Sequence, residues 1–193
     1  MGSKHGKPIL RKEDIDALAA TTGLEETQIK KTFEEFVTKH PDGKISKDVF
    51  HKMMAQALPE KDAVKMEKNV FRLYDTNGDG CIDFTEFMTT FHIMADGTPE
   101  EVLSKIFRVF DVNGDGFITI KEMRKLTTDL YGLLKAKNPN VAATDLIAKT
   151  AFAEMDKDLD GRVSVTEFIS ACMAQEAFSQ MLTSKILDIF VED

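Results

Sequence analysis

The chain of 193 residues has no tryptophan, two tyrosines and two cysteines. Cys81 and Cys172 stand alone, without a Cys-x-x-Cys spacing or a paired histidine. They therefore make no disulfide framework, suit a reducing compartment and offer no nucleophile pair. No run approaches the roughly 18 apolar residues needed to cross a bilayer, and no secretory core follows Met1. The expectation is a soluble cytoplasmic protein. A basic stripe interleaved with aromatics is also missing, which removes nucleic acid as a partner. What is present is a 42% hydrophobic composition, enough for two compact cores, and a formal charge of −8.

Much of that negative charge lies in three stretches with one formula. They are Asp75-Thr76-Asn77-Gly78-Asp79-Gly80 running to Glu86, Asp111-Val112-Asn113-Gly114-Asp115-Gly116 running to Glu122, and Asp156-Lys157-Asp158-Leu159-Asp160-Gly161 running to Glu167. Oxygen donors at positions 1, 3 and 5, glycine at 6 and glutamate at 12 form the calcium-loop pattern, suited to a hard cation that takes about 6 to 8 oxygens. Position 7 contributes a backbone carbonyl, so Cys81, Phe117 and Arg162 are all acceptable there. Position 9 holds Asp83, Thr119 and Ser164, each also the cap of a following helix with the glutamate three residues on. One Asp/Gly-rich match is often only a solvated turn. Three complete matches, each flanked by helix-period apolar residues such as Phe71 and Tyr74 before and Phe87 with Phe91 after, give helix, loop, helix three times over. Three bound Ca²⁺ would bring the net charge near −2.

Such hands work in pairs, and residues Thr38 to Phe50 keep a relic of a fourth. Gly43 falls at position 6 and Ile45 at position 8, while Thr38, His40 and Val49 stand where ligands belong. This hand is expected to be a structural partner, Ile45 pairing with Ile82 as Ile118 pairs with Val163. The displaced Phe33 and Phe36 pair leaves the register open by one residue; the ligands are lost in either case. The expected fold is all-α: two lobes of paired EF-hands over 1–95 and 100–193, a hinge at 96–99, and an amphipathic carboxy-terminal helix from Glu176 to Val191.

Beyond the loops, the chain resembles the neuronal calcium sensors, the family of recoverin, visinin-like and frequenin-type proteins. The likeness lies in Leu10-Arg11-Lys12-Glu13-Asp14-Ile15 with Thr21-Thr22 and Glu25-Glu26, and in Lys39-His40-Pro41-Asp42-Gly43, which is similar to the family's disabled first loop with His40 replacing a cysteine. Gly97-Thr98-Pro99-Glu100-Glu101 falls at the family's interlobe hinge, and Thr98, Pro99 and Glu101 read independently as cap, first helical residue and capping box. The missing tryptophans mark a divergent member. The resemblance implies calcium-dependent regulation of a target such as a receptor kinase, membrane guanylate cyclase, lipid kinase or channel.

Candidate groove residues for such a target, from helical phase and their match to family positions, are Phe33, Phe36, Phe50, Met53, Met54, Leu58, Phe84 and Phe91. Adaptable methionines Met53, Met54, Met66, Met88 and Met94 share that lobe; the competing reading is ordinary core. The carboxy-terminal helix is read as a self-ligand of its own lobe's groove, as core, or as a flap that moves aside. Removal of Met1 would expose Gly2 for myristoylation, although Gly6 stands where Ser or Thr is preferred. The alternatives are a flexible terminus or a cloning remnant. One acyl chain anchors marginally, so Lys4, Lys7, Arg11 and Lys12 would add the electrostatic signal for an anionic leaflet. The sequence thus reads as a calcium sensor, with a Ca²⁺/Mg²⁺ buffer as the alternative. It does not read as an enzyme, since no catalytic constellation lies outside the loops.

Overall fold

The computed structural model describes residues 8–57, 60–133 and 141–174. Helices α1 (Lys12–Thr22), α2 (Glu26–Lys39), α3 (Lys47–Ala57), α4 (Glu60–Tyr74) and α5 (Phe84–Asp96) are followed by α6 (Pro99–Phe110), α7 (Ile120–Leu133), α8 (Val141–Met155) and α9 (Val165–Ala174). Three-residue strands β1 (Lys44–Ser46), β2 (Cys81–Asp83), β3 (Phe117–Thr119) and β4 (Arg162–Ser164) lie between the helices of each hand. The fold is the expected all-α arrangement of four hands in two pairs.

Each pair is joined by a two-stranded antiparallel ribbon. Ile45 lies opposite Ile82 and Ile118 opposite Val163, the two pairings the sequence implies, and all four side chains are buried. That register settles the first hand. Its Gly43 has φ 70°, matching the position-6 glycines Gly80 at 82° and Gly116 at 85°. Helix α2, however, runs on to Lys39, whereas α4, α6 and α8 stop at the residue before their loops begin. Counted back from Ile45, the first two loop positions have been absorbed into the helix. The disabled hand has therefore lost its cradle as well as its ligands. Pro8 packs over what remains: a Cβ at Gly43 would lie 2.7 Å from the Pro8 Cβ.

Aromatic rings fill both cores. Phe84 meets Phe33 at 5.1 Å and Phe36 at 5.5 Å between centroids, and Phe168 meets Phe107 and Phe110 at 5.7 and 5.6 Å. Helix α1 lies along α5 and buries Ile15 and Leu18. Helix α6 is buried on nearly every side, with Val102, Leu103, Ile106, Phe107, Val109 and Phe110 all inside, because it packs on α4 and α5 as well as α9. Between α5 and α6 lie only Gly97 and Thr98. Gly97 is required by close approach rather than by φ, since a Cβ there would sit 2.4 Å from the Ile93 carbonyl oxygen. Thr98 caps α6 through a reciprocal box with Glu101, and Pro99 opens the helix.

Three polar contacts cross from α6 to the preceding hand. The Arg108 guanidinium donates to the Thr76 carbonyl at 2.8 Å, Arg72 donates to the Val109 carbonyl at 2.9 Å, and the buried Lys105 ammonium donates to the buried Thr90 hydroxyl at 2.9 Å.

Candidate metal centres

In each of the three complete loops, position 1 sits at the end of the incoming helix and is buried, while its carboxylate accepts the amide of the position-6 glycine. The distances are 3.0 Å for Gly80 to Asp75, 2.9 Å for Gly116 to Asp111 and 3.1 Å for Gly161 to Asp156. This bond curls the loop, and the left-handed φ at position 6 is what permits it. Position 3 accepts from the backbone two residues on: Asn77 from Asp79, Asn113 from Asp115, and Asp158 from Asp160. The position-5 carboxylates accept in the same way from Cys81, Phe117 and Arg162.

The glutamate at position 12 closes the ring. Glu86 Oε1 accepts from the amides of Thr76 and Asn77 while Oε2 accepts from Asp83. Glu122 repeats this with Val112, Asn113 and both donors of Thr119. Glu167 does so with Lys157 and both donors of Ser164. These donors, the Ser164 hydroxyl first among them, hold the Glu167 carboxyl below the usual carboxylate range. Asp83, Thr119 and Ser164 return the favour by accepting the glutamate's own amide, so position 9 is both loop and cap.

The residues fit a hard divalent cation. Asp75 Oδ1 and Asp156 Oδ1, both at position 1, are buried carboxylate oxygens without a hydrogen-bond partner. A buried anionic oxygen left over in a ring of oxygens is a place for a positive charge. In the last loop, ligand oxygens of Asp156, Asp158 and Glu167 already lie within 4.8 Å of one another, the only such acidic group among the described residues. Each position-5 carboxylate also accepts from a side chain: Asp79 from Lys44, Asp115 from the Asn113 amide, Asp160 from Arg162. At position 7, Cys81 and Phe117 are half-buried, and Arg162 is exposed with its guanidinium 4.2 Å from the centre of the Phe117 ring.

The residues of the amino-terminal groove reading lie mostly inside in this structure. Phe36, Phe50, Met54 and Phe84 are buried, Phe33 is half-buried against them, and only Met53 and Phe91 are substantially exposed, at 40% and 47%. Met88 and Met94 are buried too. The rings are consumed by packing on one another, and α1 covers part of α5, so these residues form the core of a closed lobe. Leu58, Gly2 and the carboxy-terminal helix 176–191 lie outside the described residues. A mostly apolar groove of about 400 Å³ does occur in the other lobe, lined by Leu146, Ile147, Ala151, Met155 and Ala171 together with Thr150 and Glu154, with Leu146 64% exposed. Of the basic residues near the start, Arg11 is paired with Glu13 and Asp14, and Lys12 with Asp16 and Glu26.

Sequence reasoning missed Lys44, Arg72 and Arg108, all of which touch the loops or their frames from another element. Lys44 alone had a signal, since the Ile45 to Ile82 pairing sets it across from Asp83.

Four helix–loop–helix units, two ribbons and three oxygen-lined loops define an EF-hand protein. The family model described as an EF-hand domain pair matches residues 64–128 and again 100–173. The neuronal calcium sensor 1 of Lymnaea stagnalis is 34% identical over 186 residues, spanning 95% of this chain and 96% of that protein. The guanylyl cyclase inhibitory protein of Lithobates pipiens is 28% identical over 170 residues, 86% of this chain and 82% of its own. The chain belongs to the neuronal calcium sensor family of EF-hand proteins, a family of calcium-binding regulators rather than of enzymes. Among the described residues, no helix is long and apolar enough to cross a membrane.

Proposed function

We propose that the protein is a calcium sensor that takes three Ca²⁺, one in each complete loop, and converts their capture into exposure of apolar surface for a target helix. The ligands are Asp75, Asn77, Asp79, Asp83 and Glu86 with the Cys81 carbonyl; Asp111, Asn113, Asp115, Thr119 and Glu122 with the Phe117 carbonyl; and Asp156, Asp158, Asp160, Ser164 and Glu167 with the Arg162 carbonyl. The observation that carries the reading is the pair of orphaned position-1 oxygens inside glutamate-closed rings. At rest, Mg²⁺ occupies one or two loops.

The glutamate at position 12 lies in the first turn of the outgoing helix, so drawing its carboxylate onto an ion moves that helix. In the amino-terminal lobe α5 carries Glu86 together with Phe84, Phe87 and Phe91. Its movement would part the Phe33, Phe36 and Phe84 cluster and turn closed core into groove. The 96–99 junction serves as the hinge between lobes. In the carboxy-terminal lobe the groove beside Ala171 offers a second apolar surface to a target helix. A myristoyl group on Gly2 with Lys4 and Lys7 gives reversible attachment to an anionic leaflet and a cytoplasmic to peripheral-membrane location. The name of the Lithobates pipiens relative makes a guanylyl cyclase one candidate target.

The test is calorimetry of the full chain with an amphipathic helical peptide carrying apolar anchors at helical spacing. Binding in saturating Ca²⁺ and none in Mg²⁺ alone is the expected result. None in either while Ca²⁺ itself binds leaves a buffer, and equal binding in both leaves a target binder that calcium does not switch; either result refutes the sensor.

A further inference from the structure

The disabled first hand presents a cation to its neighbour. Lys44 stands at position 7 of that hand, across the ribbon from Asp83, position 9 of the second hand. Its ammonium reaches Asp79, position 5 of the same loop, at 3.0 Å. Both partners are about half exposed, and the Asp79 carboxylate divides its oxygens, Oδ1 accepting the Cys81 amide and Oδ2 the ammonium. Lys44 thus overlies two ligand positions of a loop to which it does not belong.

The other pair supplies the comparison. The residue equivalent to Lys44 is Phe117, which lies across from Ser164 and brings no charge to the fourth loop. Arg162, also at position 7, lies across from Thr119 but bonds Asp160 of its own loop and stacks on Phe117. Only the second loop, among the three complete ones, has a position-5 carboxylate paired with a cation from the partner hand.

We infer that Lys44 is a built-in affinity setter: the ligandless first hand lowers calcium affinity at the second loop by holding an ammonium on the Asp79 carboxylate. This rests on the second loop being a calcium site. An ordinary exposed ion pair contributes little to stability. Its effect on an incoming ion is larger, because a doubly charged cation must share one carboxylate with a fixed positive charge, whether the ammonium is displaced or stays on Oδ2. With water-like screening of this geometry the effect is about threefold to tenfold in affinity. The function of the degenerate hand is then to separate the second site from the third and fourth on the calcium scale.

The position-6 amides give a site-resolved readout, since each of Gly80, Gly116 and Gly161 donates to its own position-1 carboxylate. The experiment follows these three amides by NMR in the isotope-labelled full chain, in chelator-buffered calcium at 0.1 M KCl. Lys44→Met, which keeps the stem, should move the Gly80 midpoint to about threefold to tenfold lower calcium and leave Gly116 and Gly161 in place. Lys44→Arg should restore the parental midpoint, Lys44→Glu should lower it further, and 1 M KCl should shrink the difference. An unchanged Gly80 midpoint in Lys44→Met and Lys44→Glu overturns the inference. A Gly80 amide that ignores calcium in the parent chain refutes the second loop as a site, and the inference with it.

Discussion

Replacing Glu122 by glutamine changes one carboxylate oxygen to an amide and tests the third hand in two independent ways. The carboxylate accepts four hydrogen bonds, from the amides of Val112 and Asn113 at 3.0 and 3.2 Å on Oε1, and from the amide and hydroxyl of Thr119 at 2.8 and 2.7 Å on Oε2. A glutamine can keep one edge of this arrangement; on the other its NH₂ faces donors. At least one half-buried backbone amide then loses its acceptor, costing about 1–3 kcal/mol even without an ion. For a chain of this length each kcal/mol corresponds to roughly 2–4 °C, so the ion-free variant should melt about 2–12 °C below its parent in EDTA. With calcium the effect is larger, because position 12 supplies two of the roughly seven oxygens and one of the loop's negative charges. Calorimetry should give three ions for the parent and two for the variant. An unchanged stoichiometry and affinity would refute the ligand role. An unchanged melting temperature in EDTA would refute the account of the closed ring.

Other predictions concern the backbone, a buried charge and the thiols. Leu159 holds φ 61° at position 4 of the last loop, where the other two loops have Gly78 and Gly114, and its side chain is 81% exposed. Leu159→Asn should therefore raise stability by about 0.5–1 kcal/mol in urea titration, since asparagine tolerates the left-handed region and little apolar contact is lost; a decrease would contradict this. Burial, reinforced by the neighbouring Arg108, lowers the Lys105 ammonium from 10.5 to about 8. The unfolded chain then holds the extra proton between these values, so the parent should gain stability as pH rises from 8 towards 10.5. Lys105→Met should be more stable than the parent below pH 8, by at most on the order of 2–3 kcal/mol, with the gap closing by pH 10.5; parallel curves would refute the burial argument. Burial also pushes the Cys172 thiol up to about 12, whereas Cys81 is half-buried on the ribbon. A thiol reagent at pH 8 should titrate Cys81 in the native protein and Cys172 only after unfolding.

What was legible in the sequence was what the chain decides locally. Positions 1 to 12 of a calcium loop are consecutive residues, so Asp75 to Glu86 carry their own geometry. The box of Thr98 with Glu101 is set within one turn. Ribbon register followed from one apolar residue per loop, as Ile45 opposite Ile82 illustrates. The overrun of α2 into the first loop was not legible, because Thr38 and Lys39 are acceptable in a helix and nothing downstream requires them elsewhere. Phe36, Phe50 and Phe84 read singly as core and only together as groove from helical phase, and their packing against one another and beside α1 is set by the assembled lobe. Arg72 and Arg108 carry no motif at all; their carbonyl partners, Val109 and Thr76, lie more than thirty residues away in sequence. Long-range polar contacts of this kind are chosen by the assembled fold.

The central claim, that calcium capture opens apolar surface, is tested most directly by titrating calcium into the full chain with an environment-sensitive apolar dye in physiological Mg²⁺. The account predicts that dye fluorescence rises between roughly 10⁻⁷ and 10⁻⁵ M free calcium, as the closed cluster of Phe33, Phe36 and Phe84 parts. A flat dye signal alongside calorimetric binding of three ions would contradict it and leave a calcium buffer.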